Sequence, residues 1–507
     1  MPTSRQERIF SIEHLKSGVR DRAIRSIGIS LLAQGVKLVI QLASIAILAR
    51  LLAPSDFGLV AMVTVFTGLA MQLTDGGLSA ATVQQDIVTH GQVSNLFWVN
   101  GLLGTMLCLF CVVISPVVAM LYGETRVSEI MAVMSFVFII SGFSVQHKAL
   151  LVREMRFKAI SAIEIVSMAV GLVACIVAAI SDMKYWALVI GPIAQASTAS
   201  VLRWFNVRWV PGWMHRGSGV RPMLSFGKDV TAANFIGYFT NNAPPFFIGY
   251  IAGPQWLGLF NRSNALTSVP SNQLLPPIIS VLQPTVARIA NDPEKLKKSI
   301  CSLMSKVAIL STLITVTMAL FAEWIVLLFL GPAWGEAVII FRFLAIYSFI
   351  QPLTGLLAVA LVAKGETKAM MNSKIHSFFL TVSSLLVGGV WGGEGIVLAF
   401  ALSGLLVRLP VFFWYSSKFL PLSMLEMTKP VITSLLCVVA TVGVMLPMKE
   451  WIDFGDALPN LLFFTPVCIL VYLGCCLLIK ATRVELIDLV SSIRSVLKLK
   501  IGAAGRR

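Results

Sequence analysis

The sequence predicts an all-α polytopic membrane protein with about fourteen transmembrane helices, and three observations carry that prediction. Hydrophobic residues make up 57% of the 507 residues and charged residues only 13%, where a soluble domain carries about 25% charged residues. Mean hydropathy is +0.85, so the bilayer must solvate most of the chain. Apolar stretches of spanning length, about 20 residues each, recur from Ile27 to Ile479.

The expected spans are 27–49, 57–83, 96–121, 128–150, 159–180, 185–205, 229–251, 257–283, 303–330, 336–362, 372–391, 395–415, 430–447 and 459–479. Lys and Arg set the orientation, because they concentrate in cytoplasmic loops. With the N-terminus inside, 33 of the 40 basic residues fall on inner segments, including Arg153, Arg203, Arg408 and Lys418. Only Arg50, Arg126, Lys184 and Lys449 fall outside, and Lys37, Arg262 and Arg342 lie within spans. Both termini are expected in the cytoplasm. No cleavable signal is expected, since the first 26 residues are polar and the first apolar run is too long. The net charge of +16 therefore reads as loop asymmetry, and nucleic acid is not an expected partner.

Both ends carry apolar residues at helical spacing, Ile9, Ile12, Leu15 and Val19, then Leu486, Val490, Ile493 and Leu497. They read either as helices on the inner leaflet or as solvated tails. Cys108 and Cys111 form a CxxC within an apolar run, which reads as two small buried side chains. Trp186, Trp256, Trp324, Trp334, Trp391 and Trp451 sit near expected outer ends and read as interface anchors. No phosphate-binding glycine loop, metal-ligand cluster or nucleophile elbow is visible, so no cofactor and no ATP hydrolysis are expected.

The chain echoes itself at an offset of 200 residues. Leu51-Leu52-Ala53-Pro54-Ser55-Asp56-Phe57-Gly58-Leu59 matches Ile251-Ala252-Gly253-Pro254-Gln255-Trp256-Leu257-Gly258-Leu259, with Pro, Gly and Leu in register. Each copy joins two long apolar spans by a tight turn, which Pro pre-sets and Gly relieves. Both first helices would run inside to outside, the parallel-repeat arrangement. The expected organisation is an N-terminal segment (1–26), a six-helix bundle (27–205), a basic linker (206–228), a second six-helix bundle (229–415), two further helices (430–479) and a basic tail (480–507).

The run Ala49–Met62 resembles the opening of Wzx-type polysaccharide transporters, as does Asp75-Gly76-Gly77-Leu78-Ser79-Ala80-Ala81-Thr82-Val83-Gln84. Gln146 to Phe157 (QHKALLVREMRF) looks like the same family's inner loop, and Leu257–Arg262 and Pro284–Asp292 fit its second half. The likeness covers most of residues 25–420 and is nearest the colanic-acid and exopolysaccharide branch of the multidrug/oligosaccharidyl-lipid/polysaccharide exporter superfamily. It implies a MATE-like fold of two bundles and a flippase for undecaprenyl-diphosphate-linked oligosaccharides in the bacterial inner membrane. It also implies alternating access, and assembly with polymerase or export proteins.

Ionisable residues inside spans are expensive and usually face a cavity. Lys37 lies mid-helix with Gln34 and Gln41 on one stripe, and Arg262 and Arg342 lie in later spans. These three cations are the candidates for the lipid diphosphate, since basic side chains pair with phosphate oxygens. The alternative for each is snorkelling or pairing with an acid. Glu164 and Asp75 are candidates for ion coupling, because a desolvated carboxylate can carry a proton; an ion pair or a helix-end position is the alternative. Asn234, Asn241 and Asn242, followed by Pro244-Pro245, make a polar, broken segment. With Gln34 and Gln41 they are candidate glycan contacts, or else helix–helix hydrogen bonds. A multidrug antiporter would call for acids in the cavity, and a polymerase for a large outer loop. A lipid II flippase would differ only in cargo.

Overall fold

The computed structural model describes residues 19–85, 87–214, 221–289, 292–489 and 491. Every element among them is a helix. Ile9, Ile12, Leu15, Val490, Ile493 and Leu497 lie outside the described residues. Two compact units divide the chain, Met1–Asn261 and Arg262–Arg507, whereas the sequence reading placed the divide at 206–228.

The first unit opens with α1 (Val19–Leu51), α2 (Pro54–Asp75), α3 (Leu78–Gln84) and α4 (His90–Tyr122). Three short helices follow: α5 (Arg126–Met134), α6 (Phe136–Gly142) and α7 (Val145–Arg153). Then come α8 (Phe157–Ile180), α9 (Trp186–Val207) and α10 (Arg221–Ile289), whose first half belongs here. Local chemistry sets the ends. Thr89 caps α4 reciprocally, its hydroxyl accepting from Gln92 N at 3.2 Å while the Gln92 side chain accepts from Thr89 N at 2.9 Å. That helix stops at Gly123 in the left-handed region, φ 67°.

The echoed segments meet each other. A Cβ added to Gly58 would fall on the carbonyl oxygen of Pro254, and one added to Gly258 would fall on the carbonyl oxygen of Pro54. The contact is reciprocal at the same offset of 200 as the sequence echo. Phe57, Leu59, Leu257, Leu259 and Phe260 are all buried around it. The long helix α10 is broken just before Pro254, at Gly253 with φ 80° and ψ −175°, a conformation that glycine tolerates.

The second unit comprises α11 (Pro293–Leu320), α12 (Ala322–Phe329), α13 (Ala337–Ser348), α14 (Ile350–Ala363), α15 (Thr367–Gly389) and α16 (Gly392–Ser403). A π-helical turn, Gly404–Arg408, leads into α17 (Leu409–Ser417). Then come α18 (Met424–Trp451), α19 (Ala457–Leu478) and a helix over 480–489. Leu296, Met304, Leu353, Leu357 and Phe413 form one core, and Phe321, Trp324, Phe464 and Tyr472 another.

The expected spans fall on helical residues apart from short breaks. Among the described residues nine helices are long and apolar enough to cross a membrane, or ten with the bent segment Arg126–Arg153. Their outward faces are apolar: Val113, Met120 and Leu478 are each more than three-quarters exposed. Such a surface requires lipid, and the protein is a multi-pass membrane protein. Trp391 and Trp451 are exposed, as anchors must be, but Trp324 and Trp334 are buried. Trp324 stacks on Phe321 at 5.4 Å and carries the Lys449 ammonium over its ring at 4.5 Å, so packing has claimed it.

Gly58→Ala or Gly258→Ala should lower the thermal midpoint of the detergent-purified protein, at a cost of about 1–3 kcal/mol from overpacking. Gly443→Ala, inside α18 where a Cβ meets nothing within 4 Å, should not lower the midpoint.

Candidate functional site

Lys37 on α1 and Glu164 on α8 meet, with Nζ 2.8 Å from Oε2 and side chains 26% and 37% exposed. The residue read as a diphosphate ligand and the residue read as a coupling acid thus form one ion pair across 127 positions. Arg203 on α9 lies within electrostatic reach of Glu164. Its guanidinium is aimed by Nη1 donating to the Ser144 hydroxyl at 3.1 Å. Lys148, Glu164 and Arg203 line one small cavity with Leu151, Ile160 and Ile163. Its volume, about 10 Å³, admits about one water. The cluster therefore sets Lys37, Arg203 and Lys148 against a single carboxylate. Its excess is positive, as an anionic ligand requires.

A second polar assembly joins the two stretches that carry the family resemblance. Gly76 and Gly77, at φ 56° and 68°, break α2 from α3. Asp75 holds the break: its carboxylate accepts from Ser79 N at 3.2 Å and Ser79 Oγ at 2.7 Å. Asn100 donates to the carbonyls of Thr74 (2.9 Å) and Asp75 (3.1 Å). Gln146 Nε2 donates to Asn100 Oδ1 at 2.8 Å, and Thr82 Oγ1 donates to Gln146 Oε1 at 2.9 Å. Arg153 Nη1 donates to the carbonyls of Thr82 and Gln85. Thr82, Asn100, Gln146 and Arg153 are all buried, so each of these bonds replaces water that cannot enter. Asp75 thus ends α2 and bonds forward to the first turn of α3.

The remaining candidates are scattered. Gln34 and Gln41 are exposed on α1, and Asn241 is exposed on α10. Asn242 Nδ2 donates to the Tyr238 carbonyl at 2.9 Å. The Asn234 side chain lies outside the described residues. Arg342 is exposed on α13. Arg262 opens the second unit, with its Nε buried.

Three cations escaped the sequence reading because they were counted with inner-loop charges. Arg203 and Lys148 belong to the cluster above. Arg408 is 8% exposed in the π-helical turn. It donates to Thr381 Oγ1 at 2.9 Å and to the Phe400 carbonyl at 2.5 Å. Its guanidinium lies 4.5 Å from the Phe400 ring centre and 5.0 Å from that of Tyr347. Stacking on rings and neutral oxygens suits Arg rather than Lys.

Helices with lipid-facing surfaces that carry a paired, net-cationic cluster define a multi-pass membrane protein. The chain belongs to the family described as polysaccharide biosynthesis protein, whose pattern matches residues 47–339. It is 24% identical over 391 residues to the lipopolysaccharide biosynthesis protein WzxC of Escherichia coli strain K12, covering 76% of this chain and 79% of that one. Its fold is shared with the lipid II flippase MurJ in an inward closed conformation. That likeness has a TM-score of 0.71 at 12% identity, over 89% of this chain and 98% of that one. An inward-facing multidrug-resistance MATE transporter of the MOP superfamily matches with a TM-score of 0.59 at 13% identity, over 77% and 96%.

Gln146→Leu should leave the buried Asn100 Oδ1 without its donor and cost about 1–3 kcal/mol. The effect should appear as a lower midpoint in a detergent thermal melt. Ser181→Ala, at an exposed hydroxyl bonded to the Val177 carbonyl of α8, serves as the comparison and should cost less.

Proposed function

We propose that the protein is a flippase that moves undecaprenyl-diphosphate-linked oligosaccharide units across the bacterial inner membrane for polysaccharide assembly. The Lys37–Glu164 pair within its cationic cluster carries this reading. Unpaired charges are expensive inside a membrane, and the pair keeps both tolerable while no ligand is bound. A lipid diphosphate brings more negative charge than one carboxylate, so it competes with Glu164 for Lys37 and Arg203. Displaced from its cation, Glu164 is the residue assigned to ion coupling, released on ligand entry and paired again on ligand exit.

Family membership and the relation to WzxC support the cargo class. In this reading Arg262 and Arg342 supply further phosphate contacts. Gln34, Gln41, Asn234, Asn241 and Asn242 supply donors and acceptors for sugar hydroxyls, and Asp75 holds the helix break that shapes the first unit. Both termini face the cytoplasm, following the basic residues, and the two repeated bundles alternate in exposing the site. Polymerase or export proteins take up the product on the far side. A multidrug antiporter for cationic compounds is disfavoured, since the cluster sets three bases against one acid.

In a strain lacking this protein, mass spectrometry of undecaprenyl-diphosphate lipids should show a complete repeat unit accumulating while polymer disappears. Lys37→Ala should reproduce that accumulation, and Lys37→Arg should relieve it in part. Polymer export that stays intact with Lys37→Ala would remove Lys37 from the site. Glu164→Gln should lower the rate of export severalfold, while the pool of flippable lipid persists.

A further inference from the structure

The second unit holds a cavity that the transport reading leaves unused. Helix α11, the first turns of α18 and the helix over 480–489 enclose about 300 Å³. The walls include the carboxylates of Glu426 and Glu485 and the hydroxyls of Thr433 and Ser434, and Lys429 stands exposed beside them. Lys295, Lys297 and Lys298 mark the same charged end of α11. The cavity therefore lies at the basic, headgroup end of these helices, and Leu425, Ile432 and Leu478 of α18 and α19 are exposed apolar residues.

The two carboxylates differ. Glu426 is already engaged: Oε1 lies 2.7 Å from Lys297 Nζ, and Oε2 accepts from the Ser423 backbone N–H at 3.0 Å. Glu485 accepts from the Ser302 hydroxyl at 3.1 Å, and no ion pair among the described residues reaches it. One turn along, Lys306 and Asp488 pair at 2.5 Å and pin the same two helices together. Ser434, 1% exposed, lines the cavity, and its hydroxyl makes no hydrogen bond among the described residues. A buried polar atom without a partner calls for an explanation, and a half-buried carboxylate calls for a cation.

We propose that this cavity binds the phosphoethanolamine headgroup of a membrane lipid. Its ammonium donates to Glu485 and Ser434, and its phosphate meets Lys429 at the mouth. Three features fit. A primary ammonium has three donors, and the inner wall offers carboxylate and hydroxyl oxygens. The charge order, acid inside and base outside, is the inverse of a headgroup that ends in nitrogen. The volume lies at the lower bound of small-ligand sites, about 300 Å³. A choline headgroup has the same phosphate but no N–H to donate, so the site discriminates against it.

Native mass spectrometry of the full-length chain in detergent tests this independently of transport. The chain is titrated with dilauroyl phosphatidylethanolamine, with dilauroyl phosphatidylcholine, and with water-soluble glycerophosphoethanolamine. The wild type should hold the ethanolamine lipid about tenfold more tightly than the choline lipid, a margin of about 1.4 kcal/mol. Glu485→Gln should abolish that preference. Lys429→Ala should weaken both lipids alike and keep their ratio. If Glu485→Gln does not fold, Ser434→Ala should still lower ethanolamine binding several-fold and spare choline. Equal binding of both lipids by the wild type would overturn the proposal, as would a preference that survives Glu485→Gln. Displacement by an equal concentration of glycerophosphoethanolamine would overturn the lipid source and assign the site to a soluble molecule with that headgroup.

Discussion

The first unit is built around two proline carbonyl oxygens, each standing where a side chain would be if its partner were anything but glycine. Pro254 faces Gly58 and Pro54 faces Gly258. The approach is close enough that only a residue without Cβ can take part, and the buried leucines on either side, Leu59 and Leu259, hold it dry. Because the contact is reciprocal, neither turn can shift without the other. It fixes how α1 ends and α2 begins, and so it fixes α1 itself. Lys37 lies fourteen positions before the end of α1 at Leu51, roughly 21 Å along the axis at 1.5 Å per residue. That depth is well inside a hydrocarbon core of about 30 Å.

At that depth a cation calls for a counter-charge, and Glu164 supplies it. The energetics of such a pair are finely balanced, since desolvation can consume the Coulombic gain. A pair of that kind can be broken at small net cost when a better counter-ion arrives, which a structural ion pair on a fixed surface would not need. The neighbouring Arg203, aimed by Ser144, keeps the local field positive whichever acid is bound. The polar assembly around Gln146 and Asn100 works the other way. Each of its bonds is shown satisfied inside the protein, and it holds the α2–α3 break and α7 in one geometry.

Much of the fold was legible because lipid is an unforgiving solvent. Only helices satisfy the backbone there without water, so apolar length announced nearly every helix. The echo at Pro54 and Pro254 was legible too, since a close approach of backbones tolerates few residue types. The pairing of Lys37 with Glu164 was not legible. Each stood out singly as a charge in an apolar run, but hydropathy does not say that α1 lies against α8. Arg203, Lys148 and Arg408 were missed for a related reason. They fall near the ends of apolar runs, where a loop charge and a buried one look alike. Asp75 reads in sequence as an intramembrane acid, whereas in the structure Ser79 fills both of its oxygens.

The central claim is that this chain carries a diphosphate-linked sugar lipid from one leaflet to the other, using Lys37. Reconstitution into sealed vesicles tests it most directly. An undecaprenyl-diphosphate-linked oligosaccharide with a fluorescent sugar is placed in the inner leaflet, and a membrane-impermeant quencher is added outside. The account predicts that the quenched fraction grows with time in vesicles holding the wild-type protein, and that it stays at the protein-free level with Lys37→Ala. Equal quenching with and without the protein, at a pH gradient of either sign, would contradict it.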